Sequence, residues 1–170
     1  MKTVILARHA KSSWSSGAET DFQRPLNKRG LRDAPIMAGR LRATGPLPGI
    51  IVTSTATRAL TTADLYLHNL GMRTDQLVKT QSIYEAPVSA IVSQILKLPA
   101  ECSIAMIVGH NPGISAACTY LSSRTDVQMP TCGVACLDLE IDNWPDAYRD
   151  CATLRWFDYP KNTQSIATET

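Results

Sequence analysis

The sequence predicts an α/β protein, built as a three-layer α/β/α sandwich around a mostly parallel central sheet. Short apolar segments alternate along the chain with longer amphipathic segments, which is typical of strands that alternate with helices. The strongest of these short segments are apolar at nearly every position, as strands buried on both faces are. With 170 residues, the chain is long enough for one core. We therefore expect a single domain over residues 1–161 and a polar tail over residues 162–170.

The first two predicted elements are a strand and a long helix. Residues 3–8 read TVILAR, and their β-branched and apolar side chains predict a buried strand. Residues 27–44 have helical character, with Asn27 as the N-cap and a Gly-Pro pair just beyond the end as a stop signal. Gly30 and Pro35 weaken the first turns, which leaves a later start of this helix as an alternative.

Two further pairs of a strand and a helix follow. Residues 49–55 (GIIVTST) predict a second buried strand, and residues 57–70 carry leucines and an alanine at helical spacing up to a terminating glycine. Residues 76–80 give a weaker strand signal. Residues 86–98 place valine, isoleucine and leucine side chains on one helical face, which predicts the third helix.

The remaining elements change the pattern towards the end of the chain. Residues 103–110 (SIAMIVGH) predict the third strong strand, and residues 111–122 predict a helix in which Pro112 is tolerated near the first turn. Residues 133–141 and 152–159 predict two further strands that pair antiparallel with each other. The predicted sheet is therefore mostly, but not wholly, parallel.

The composition excludes several classes of protein. The net charge of +2 is too small for a nucleic-acid-binding protein, and no Lys/Arg block is present that would attract an anionic membrane surface. No apolar run is long enough to span a bilayer, and the short apolar run near the N terminus is followed by charge, unlike a signal peptide. We therefore expect a cytoplasmic protein with neither a nucleic-acid nor a membrane partner.

The cysteines and glycines give no indication of a metal or a nucleotide. The five cysteines are widely spaced and mostly lie among apolar neighbours, which is typical of reduced thiols in a cytosolic protein. Cys132 and Cys136 are close in sequence, but there is no C-x-x-C motif and no histidine near them, so no metal site is predicted. Neither of the glycine-rich loops that cradle nucleotide phosphates occurs, so neither ATP nor NAD is an expected cofactor.

Four basic side chains follow the predicted strands at points that meet in space. In folds of this class, ligands bind beyond the carboxyl ends of the parallel strands. The first strand ends at Arg8-His9, Arg58 lies on the turn after the second strand, and His110 ends the third strong strand. Two histidines and two arginines are thus predicted at one edge of the sheet.

This set of side chains suits phosphoryl transfer. A neutral imidazole has a lone pair that can attack phosphorus, and guanidinium groups match the geometry of phosphate oxygens. A second histidine, kept protonated by the phosphate, and backbone N–H groups at the helix start near Asn111 would add further donors. No metal ion or other cofactor is needed for this chemistry.

Each of these residues also has an ordinary structural interpretation. His9 alone fits a polar residue that ends a strand, Arg58 fits a first-turn helix residue, and GHNPG fits a plain strand-to-helix turn. A cation in the first turn of a helix is unfavourable, however, unless an anion is near. His68 lies in mid-helix, away from any strand end, and is interpreted as a surface residue. The joint occurrence of the basic residues at one edge favours a functional site.

Four motifs, in order along the chain, resemble those of the histidine phosphatase superfamily, also called the phosphoglycerate mutase-like family. They read LARHA, STATRALTTA, IYEAP and VGHNPG. The resemblance covers residues 3–139 and implies a phosphoglycerate mutase-like fold. The short length and the segment RHAKSSW…DFQRPLNKRG are most similar to the small SixA-type phosphohistidine phosphatases. The family's usual glycine after the first histidine is Ala10 here, which allows close backbone approach but not the same freedom of φ.

The resemblance implies a role for each matching residue. His9 would be the nucleophile that becomes phosphohistidine, and Glu85, in IYEA, would be the general acid that protonates the leaving group. The side chains implied to hold the phosphate are Arg8, Arg58, His110, which is also counted as catalytic, and the hydroxyl of Ser12 or Ser13. Lys11 would shape the entrance. Glu85 has an ordinary alternative as a solvated residue that opens a helix at Pro87, and an imidazole leaving group needs less acid assistance than an alkoxide.

The implied function is that of a metal-independent phosphatase without a cofactor. Its phosphorylated substrate would be a phosphomonoester or the phosphohistidine of a protein partner, and the reaction would pass through a phosphohistidine enzyme intermediate. One alternative is a mutase-like phosphotransferase, although such an enzyme needs a closed site and residues 71–99 leave little room for a lid. The other is a catalytically inactive module that binds phosphorylated ligands.

A cysteine-based phosphatase is the least supported interpretation. Cys118 and Arg124 fit the C-x5-R spacing of those enzymes. That chemistry needs a loop whose backbone amides surround the phosphate. The intervening residues look instead like the end of an apolar helix, so this spacing is not interpreted as a site.

Overall fold

The structure is a computed structural model that describes residues 1–163 and contains, within that range, six β-strands and four α-helices. The strands are β1 (Lys2–Arg8), β2 (Ile50–Ser54), β3 (Leu77–Thr80), β4 (Ile104–Gly109), β5 (Val134–Leu139) and β6 (Ala152–Asp158). The helices are α1 (Lys28–Thr44), α2 (Thr57–Asn69), α3 (Val88–Leu96) and α4 (Gly113–Ser122). Most of the tail predicted over residues 162–170 lies outside the described residues.

The strands form one sheet in the order β3-β2-β4-β1-β5-β6. The first four strands in this order run parallel, whereas β5 is antiparallel to both of its neighbours. Arg8 lies opposite Gly109 where β1 and β4 end, and Thr53 of β2 lies opposite Val108. The carboxyl ends of these three strands are therefore side by side. The mostly parallel sheet and the antiparallel pairing of the last two strands confirm the sequence prediction.

Two helices cover each face of the sheet, and each face has its own hydrophobic core. Val4 and Leu6 of β1 pack in one core with buried side chains of α3 and α4. Ile5 and Ala7, which alternate with them, pack in the other core with side chains of α1 and α2. Both faces of β1 are thus buried, which explains its unbroken apolar run from Val4 to Ala7. The predicted three-layer α/β/α sandwich is confirmed.

The predicted helix over residues 27–44 and its Asn27 N-cap are confirmed. Helix α1 begins at Lys28 in spite of Gly30 and Pro35, because the Asn27 side chain caps it by accepting a hydrogen bond from the Gly30 N–H at 2.9 Å. This cap and the buried face of α1 offset the helical hydrogen bond that Pro35 removes, so the helix does not start later.

Helices α3 and α4 begin later than predicted, at Val88 and Gly113 rather than at residues 86 and 111. Each start is preceded by a proline, and the residue before a proline is disfavoured in the helical conformation.

Gly30 is required where α1 meets the loop that follows β1. A Cβ atom on Gly30 would lie 2.2 Å from the backbone carbonyl oxygen of Lys11, which cannot rotate away. We expect Gly30→Ala to lower the free energy of unfolding by about 2–4 kcal/mol, because the helix or the loop must move. Chemical denaturation followed by circular dichroism measures this change.

Gly39→Ala is the matched control for that measurement. Gly39 lies on the exposed side of the same helix, and nothing apart from the neighbouring backbone of α1 lies within 4 Å of its Cβ position. Alanine is a better helix former than glycine, so we expect stability to stay constant or to rise by up to about 1 kcal/mol. Equal stabilities of the Gly30→Ala and Gly39→Ala variants would contradict the close contact at Lys11.

All five cysteines lie within the described residues, and all five are free thiols. Burial raises the pKa of Cys118 to about 11 and those of Cys132 and Cys136 to about 12, so these three are neutral thiols packed as apolar side chains. Between residues 1 and 163, no helix combines the length and the apolar character that crossing a bilayer requires.

Candidate active site

A cleft of about 200 Å³ opens at the carboxyl ends of β1, β2 and β4. Its lining residues are Arg8, His9, Lys11, Ser12, Arg24, Arg58, Glu85, His110, Asn111 and Thr131. The structure thus brings together all six site residues that were predicted from the sequence. They come from strand ends, from the first turn of α2 and from loops, and the parallel topology is what places them at one edge.

The backbone of His9 is fixed between two neighbouring segments. Its N–H donates to the Gly109 carbonyl and its own carbonyl accepts from the Cys132 N–H, both at 3.0 Å. The next residue, Ala10, is fully buried and donates its N–H to Thr62 Oγ1 at 3.0 Å. Ala10 does not have a positive φ. Alanine is therefore compatible with this turn, and the departure from the family's usual glycine strains nothing.

The hydrogen bonds of His9 define its tautomer. Nδ1 lies 2.8 Å from the carbonyl oxygen of Ala10, and because a carbonyl only accepts, Nδ1 carries the proton. The lone pair is then on Nε2, where Arg58 Nε donates to it at 3.3 Å. Burial lowers the pKa of His9 to about 3. The hydrogen bond to the Ala10 carbonyl raises this pKa, whereas the charges of Arg58 and Arg8 lower it further. His9 is therefore a neutral imidazole at physiological pH.

Arg58 contacts both a possible nucleophile and an acidic residue. It is 3% exposed, and besides its bond to His9 it donates from Nη1 to the backbone carbonyl of Asp21 at 2.7 Å and from Nη2 to Asp21 Oδ2 at 2.9 Å. Asp21 is thus the anion that makes a cation tolerable in the first turn of α2. The orientation of the Arg58 guanidinium group is set by these three hydrogen bonds.

Arg8 extends from the last position of β1 and shares a backbone acceptor with Asn111. Arg8 Nη1 donates to the Met129 carbonyl at 3.0 Å, and Asn111 Nδ2 donates to the same oxygen at 2.9 Å. Arg8 Nε is buried and has no partner within residues 1–163. Burial and the neighbouring Arg58 lower the pKa of Arg8. Two like charges held together in this way point to an anion as their common ligand.

His110 faces His9 across the cleft, with ring centroids 5.1 Å apart. Its Nε2 lies 2.8 Å from Ser54 Oγ, and Ser54 Oγ already accepts from the Ala56 N–H. When the Ser54 hydroxyl donates to Nε2, the proton of a neutral His110 lies on Nδ1. This Nδ1 is buried and has no partner among the described residues. Burial, then the charge of Arg58, lowers the pKa of His110 to about 4, so the ring is neutral in the structure.

The segment STATRALTT places three functional contacts between the end of β2 and the second turn of α2. Ser54 holds His110, Arg58 enters the cleft, and Thr62 Oγ1 both accepts from the Ala10 N–H and donates to the Arg58 carbonyl at 2.7 Å. Thr62 therefore links the His9 turn to the first turn of α2. This explains why serine, arginine and threonine occur at these spacings in the segment.

Glu85 lines the cleft from the loop before α3, in an unusual backbone conformation. Its φ is +46°, in the left-handed region that residues other than glycine seldom adopt. The following residue packs closely against the start of α4, where a Cβ atom on Gly113 would lie 2.4 Å from the Ala86 carbonyl oxygen. Tight packing around Glu85 thus accompanies the strained φ, a combination that is common at functional sites.

The sequence analysis assigned no role in phosphate binding to a hydrogen-bonded group beside the cleft, which consists of Asp21, Arg24 and Tyr84. Arg24 lines the cleft and donates from Nε and Nη2 to Asp21 Oδ1, at 3.2 and 2.9 Å. Tyr84 Oη donates to Asp21 Oδ2 at 2.8 Å, and its ring contacts the His110 ring edge-on. The three-residue spacing of Asp21 and Arg24 was the available signal, but nothing local indicated that their loop folds back onto Arg58.

Three backbone donors at the start of α4 are used within its own turn. The N–H groups of Ile114, Ser115 and Ala116 bond to the His110 carbonyl, the Asn111 side chain and the Pro112 carbonyl. These three amides are therefore not available to a bound anion, and the donation predicted near Asn111 would have to come from the residues before them.

Cys118 does not line the cleft. It is fully buried in α4, and Arg124 pairs with the exposed Asp126 instead. The C-x5-R spacing accordingly forms no phosphate loop.

The two neutral histidines make stability depend on pH. An unfolded histidine binds a proton near pH 6.5, whereas His9 and His110 do so only near pH 3 and pH 4. Below pH 6.5 the unfolded chain therefore binds more protons than the folded chain, and stability falls as the pH falls. Between pH 7.5 and pH 5 we expect each histidine to lower the free energy of unfolding by about 2 kcal/mol.

Urea unfolding at these two pH values measures that loss. In His110→Gln the loss between pH 7.5 and pH 5 should be smaller than in the wild type by about 2 kcal/mol, because one of the two groups is gone. A loss of the same size in both proteins would show that His110 is not the neutral buried group described here.

The sequence was compared with models of protein families and with the sequences of known proteins. The model of the histidine phosphatase superfamily (branch 1) matches residues 4–83. An uncharacterized protein of Mycobacterium tuberculosis is 32% identical in an alignment of 164 residues that covers 91% of this chain and 99% of that protein.

Solved structures agree with this comparison. The SixA protein of Agrobacterium tumefaciens is 29% identical, with a TM-score of 0.78 over 94% of this chain and 98% of its own. The protein histidine phosphatase SixA, solved in complex with tungstate, has the same fold, with a TM-score of 0.79, 20% identity and coverage of 93% and 97%. From the matching family model, the similar fold and the related sequences, we conclude that the chain belongs to the histidine phosphatase superfamily.

Proposed function

We propose that the chain is a metal-independent phosphatase that uses His9 as its nucleophile. The observation that carries this proposal is the state of the His9 ring. The ring is neutral, Nδ1 carries the proton and donates it in a hydrogen bond to the Ala10 carbonyl, and the lone pair of Nε2 lies in the cleft. Arg8, Arg58 and His110 surround the same space. A lone pair aimed into a pocket of cations and donors is what attack on a phosphoryl group requires.

The reaction would proceed in two displacements at phosphorus. When the phosphate enters, its oxygens compete for Arg58, and the Arg58 bond to Nε2 gives way. Nε2 then forms a bond to phosphorus while the bond to the leaving group breaks, and Glu85 or water supplies the proton that the leaving group takes up. Water attacks the phosphohistidine in the second step, which releases inorganic phosphate and restores neutral His9.

The remaining residues of the cleft have supporting roles in this proposal. Among the described residues of the cleft lining, Arg8 Nε and His110 Nδ1 are buried polar atoms without a partner, and both would donate to phosphoryl oxygens. Ser12 lines the cleft and would add a hydroxyl contact, and Lys11 lies at its exposed entrance. We assign this catalytic domain to residues 1–161.

The substrate we propose is a phosphomonoester or a phosphohistidine on a partner protein, in the cytoplasm. The cleft lies at the surface, so a phosphate carried by a protein could reach His9. The similar fold of a SixA that binds tungstate, an oxyanion of phosphate shape, is consistent with this choice. A phosphohistidine would leave as imidazole, which needs little help from Glu85.

Hydrolysis of p-nitrophenyl phosphate in the presence of EDTA tests the proposal, with phosphohistidine-bearing protein as a second substrate. We expect release of inorganic phosphate from both without added metal. Isomerisation of a phosphoglycerate in place of hydrolysis would favour a mutase. Binding of inorganic phosphate without turnover of any substrate would favour an inactive binding module. Either result would refute the proposed phosphatase.

A further inference from the structure

We infer that Asp21 is a positioning residue that orients Arg58 and Arg24 and limits the positive charge of the cleft. This inference rests on the proposed phosphatase function. Asp21 does not line the cleft itself, and it acts through the two arginines that do.

Asp21 is the shared partner of three side chains of the site. One carboxylate oxygen accepts from Arg24, and the other accepts from Arg58 and from the Tyr84 hydroxyl at 2.9 and 2.8 Å. Its backbone carbonyl accepts from Arg58 as well. These bonds lower the pKa of Asp21 against the opposing effect of burial, so it stays ionised. No other carboxylate in the described chain contacts two residues of the cleft lining.

The position of Asp21 is itself fixed by the surrounding loop. The Phe22 carbonyl accepts from the Thr57 N–H at 3.0 Å, which ties the loop to the residue before Arg58. The Phe22 ring packs edge-on against Tyr84, and Tyr84 packs edge-on against His110. A change at Asp21 is therefore transmitted to both arginines and, through Tyr84, to His110.

The charge of the cleft also depends on Asp21. Four cationic side chains and one carboxylate line the cleft, which leaves an excess of three positive charges. Asp21 reduces this excess to two, which balances a phosphate dianion. Without Asp21 the site would hold its product, inorganic phosphate, more tightly, and the freed arginines would be less well placed for the transition state. We therefore expect loss of Asp21 to strengthen phosphate binding and to slow turnover at the same time.

Asp21→Asn tests this inference because it removes the charge and keeps the shape. Calorimetric titration with inorganic phosphate, which does not depend on turnover, should show a dissociation constant lowered by about threefold or more. The kcat for p-nitrophenyl phosphate should fall by about tenfold. The control is Asp75→Asn, which removes the carboxylate of an exposed pair with Arg73 outside the cleft. We expect both quantities to be unchanged in that control.

Tyr84→Phe separates the positioning effect from the charge effect. It removes one hydrogen bond to Asp21 and leaves the carboxylate charge in place. We expect kcat to fall by about threefold while the phosphate dissociation constant stays at the wild-type value. If Asp21→Asn does not fold, the kcat of Tyr84→Phe tests whether Asp21 positions the arginines.

The outcomes of the phosphate titrations and the kinetic measurements distinguish a failure of the inference about Asp21 from a failure of the proposed function. Phosphate binding in Asp21→Asn that is equal to or weaker than in the wild type would overturn the inference, and so would wild-type kcat in Asp21→Asn or in Tyr84→Phe. A wild-type protein that hydrolyses no substrate would instead refute the proposed function, whatever the phosphate titration shows.

Discussion

Replacing His9 with alanine is expected to lower hydrolysis of p-nitrophenyl phosphate by at least about a thousandfold. The reason is that Nε2 of His9 is the group from which the bond to phosphorus would form, and the other cleft residues provide only binding and donors. The fold should survive, because the His9 backbone keeps its bonds to Gly109 and Cys132 and the side chain bonds only to Ala10 and Arg58. Steady-state kinetics and a thermal melt of the same sample measure both effects.

Two matched controls accompany the His9 variant. His68→Ala removes a histidine that is exposed on α2 and does not line the cleft, and we expect wild-type activity. Cys118→Ser replaces the buried thiol of the C-x5-R spacing and should also leave kcat near the wild-type value. Loss of activity in Cys118→Ser together with retained activity in His9→Ala would show that the nucleophile is a cysteine and not a histidine.

Replacing Arg58 with alanine is expected to give the second largest loss, of about a hundredfold to a thousandfold in kcat/KM. Arg58 contacts the attacking nitrogen of His9 and lies where the charge of the phosphoryl oxygens would develop. Lysine should not restore the activity, because its single nitrogen cannot reproduce the bonds that Nε, Nη1 and Nη2 make in three directions. Steady-state kinetics of the alanine and lysine variants measure this loss.

Arg73→Ala controls for the general loss of an arginine. Arg73 is exposed and pairs with Asp75, away from the cleft, so we expect full activity. If Arg58→Ala turned over substrate as fast as Arg73→Ala does, Arg58 would have no part in the phosphate site.

The sheet and helices were predictable because the burial of their faces leaves a repeated pattern of apolar residues in the sequence. β1, β2 and β4 are covered on both faces, and each accordingly contains an unbroken run of at least three apolar residues. The helix starts were less predictable, since a single side chain such as Asn27 decides between competing signals from Gly30 and Pro35. The close approach of Gly30 in α1 to Lys11 in the loop after β1 joins residues that are far apart in sequence, so no local pattern predicts it.

The candidate site was predictable to the extent that it follows the strand ends. His9 and His110 come directly after parallel strands, and Arg58 lies in the first turn of the helix that follows β2, so the topology brings them together. The contacts that hold them were not predictable in this way, because Asp21, Arg24 and Tyr84 lie on loops whose path depends on tertiary packing. The same holds for the protonation of His110, which is neutral in the structure because it is buried beside cations.

The most direct test of the account is to trap the phosphoenzyme. The protein is mixed rapidly with p-nitrophenyl phosphate radiolabelled in its phosphoryl group, quenched, and assayed for label bound to protein. We predict a label that is lost in acid, survives alkali and is absent from His9→Ala, because a phosphorus–nitrogen bond on imidazole has this behaviour. Label of the same amount in His9→Ala, or an acid-stable label in the wild type, would contradict the central claim that neutral His9 attacks phosphorus.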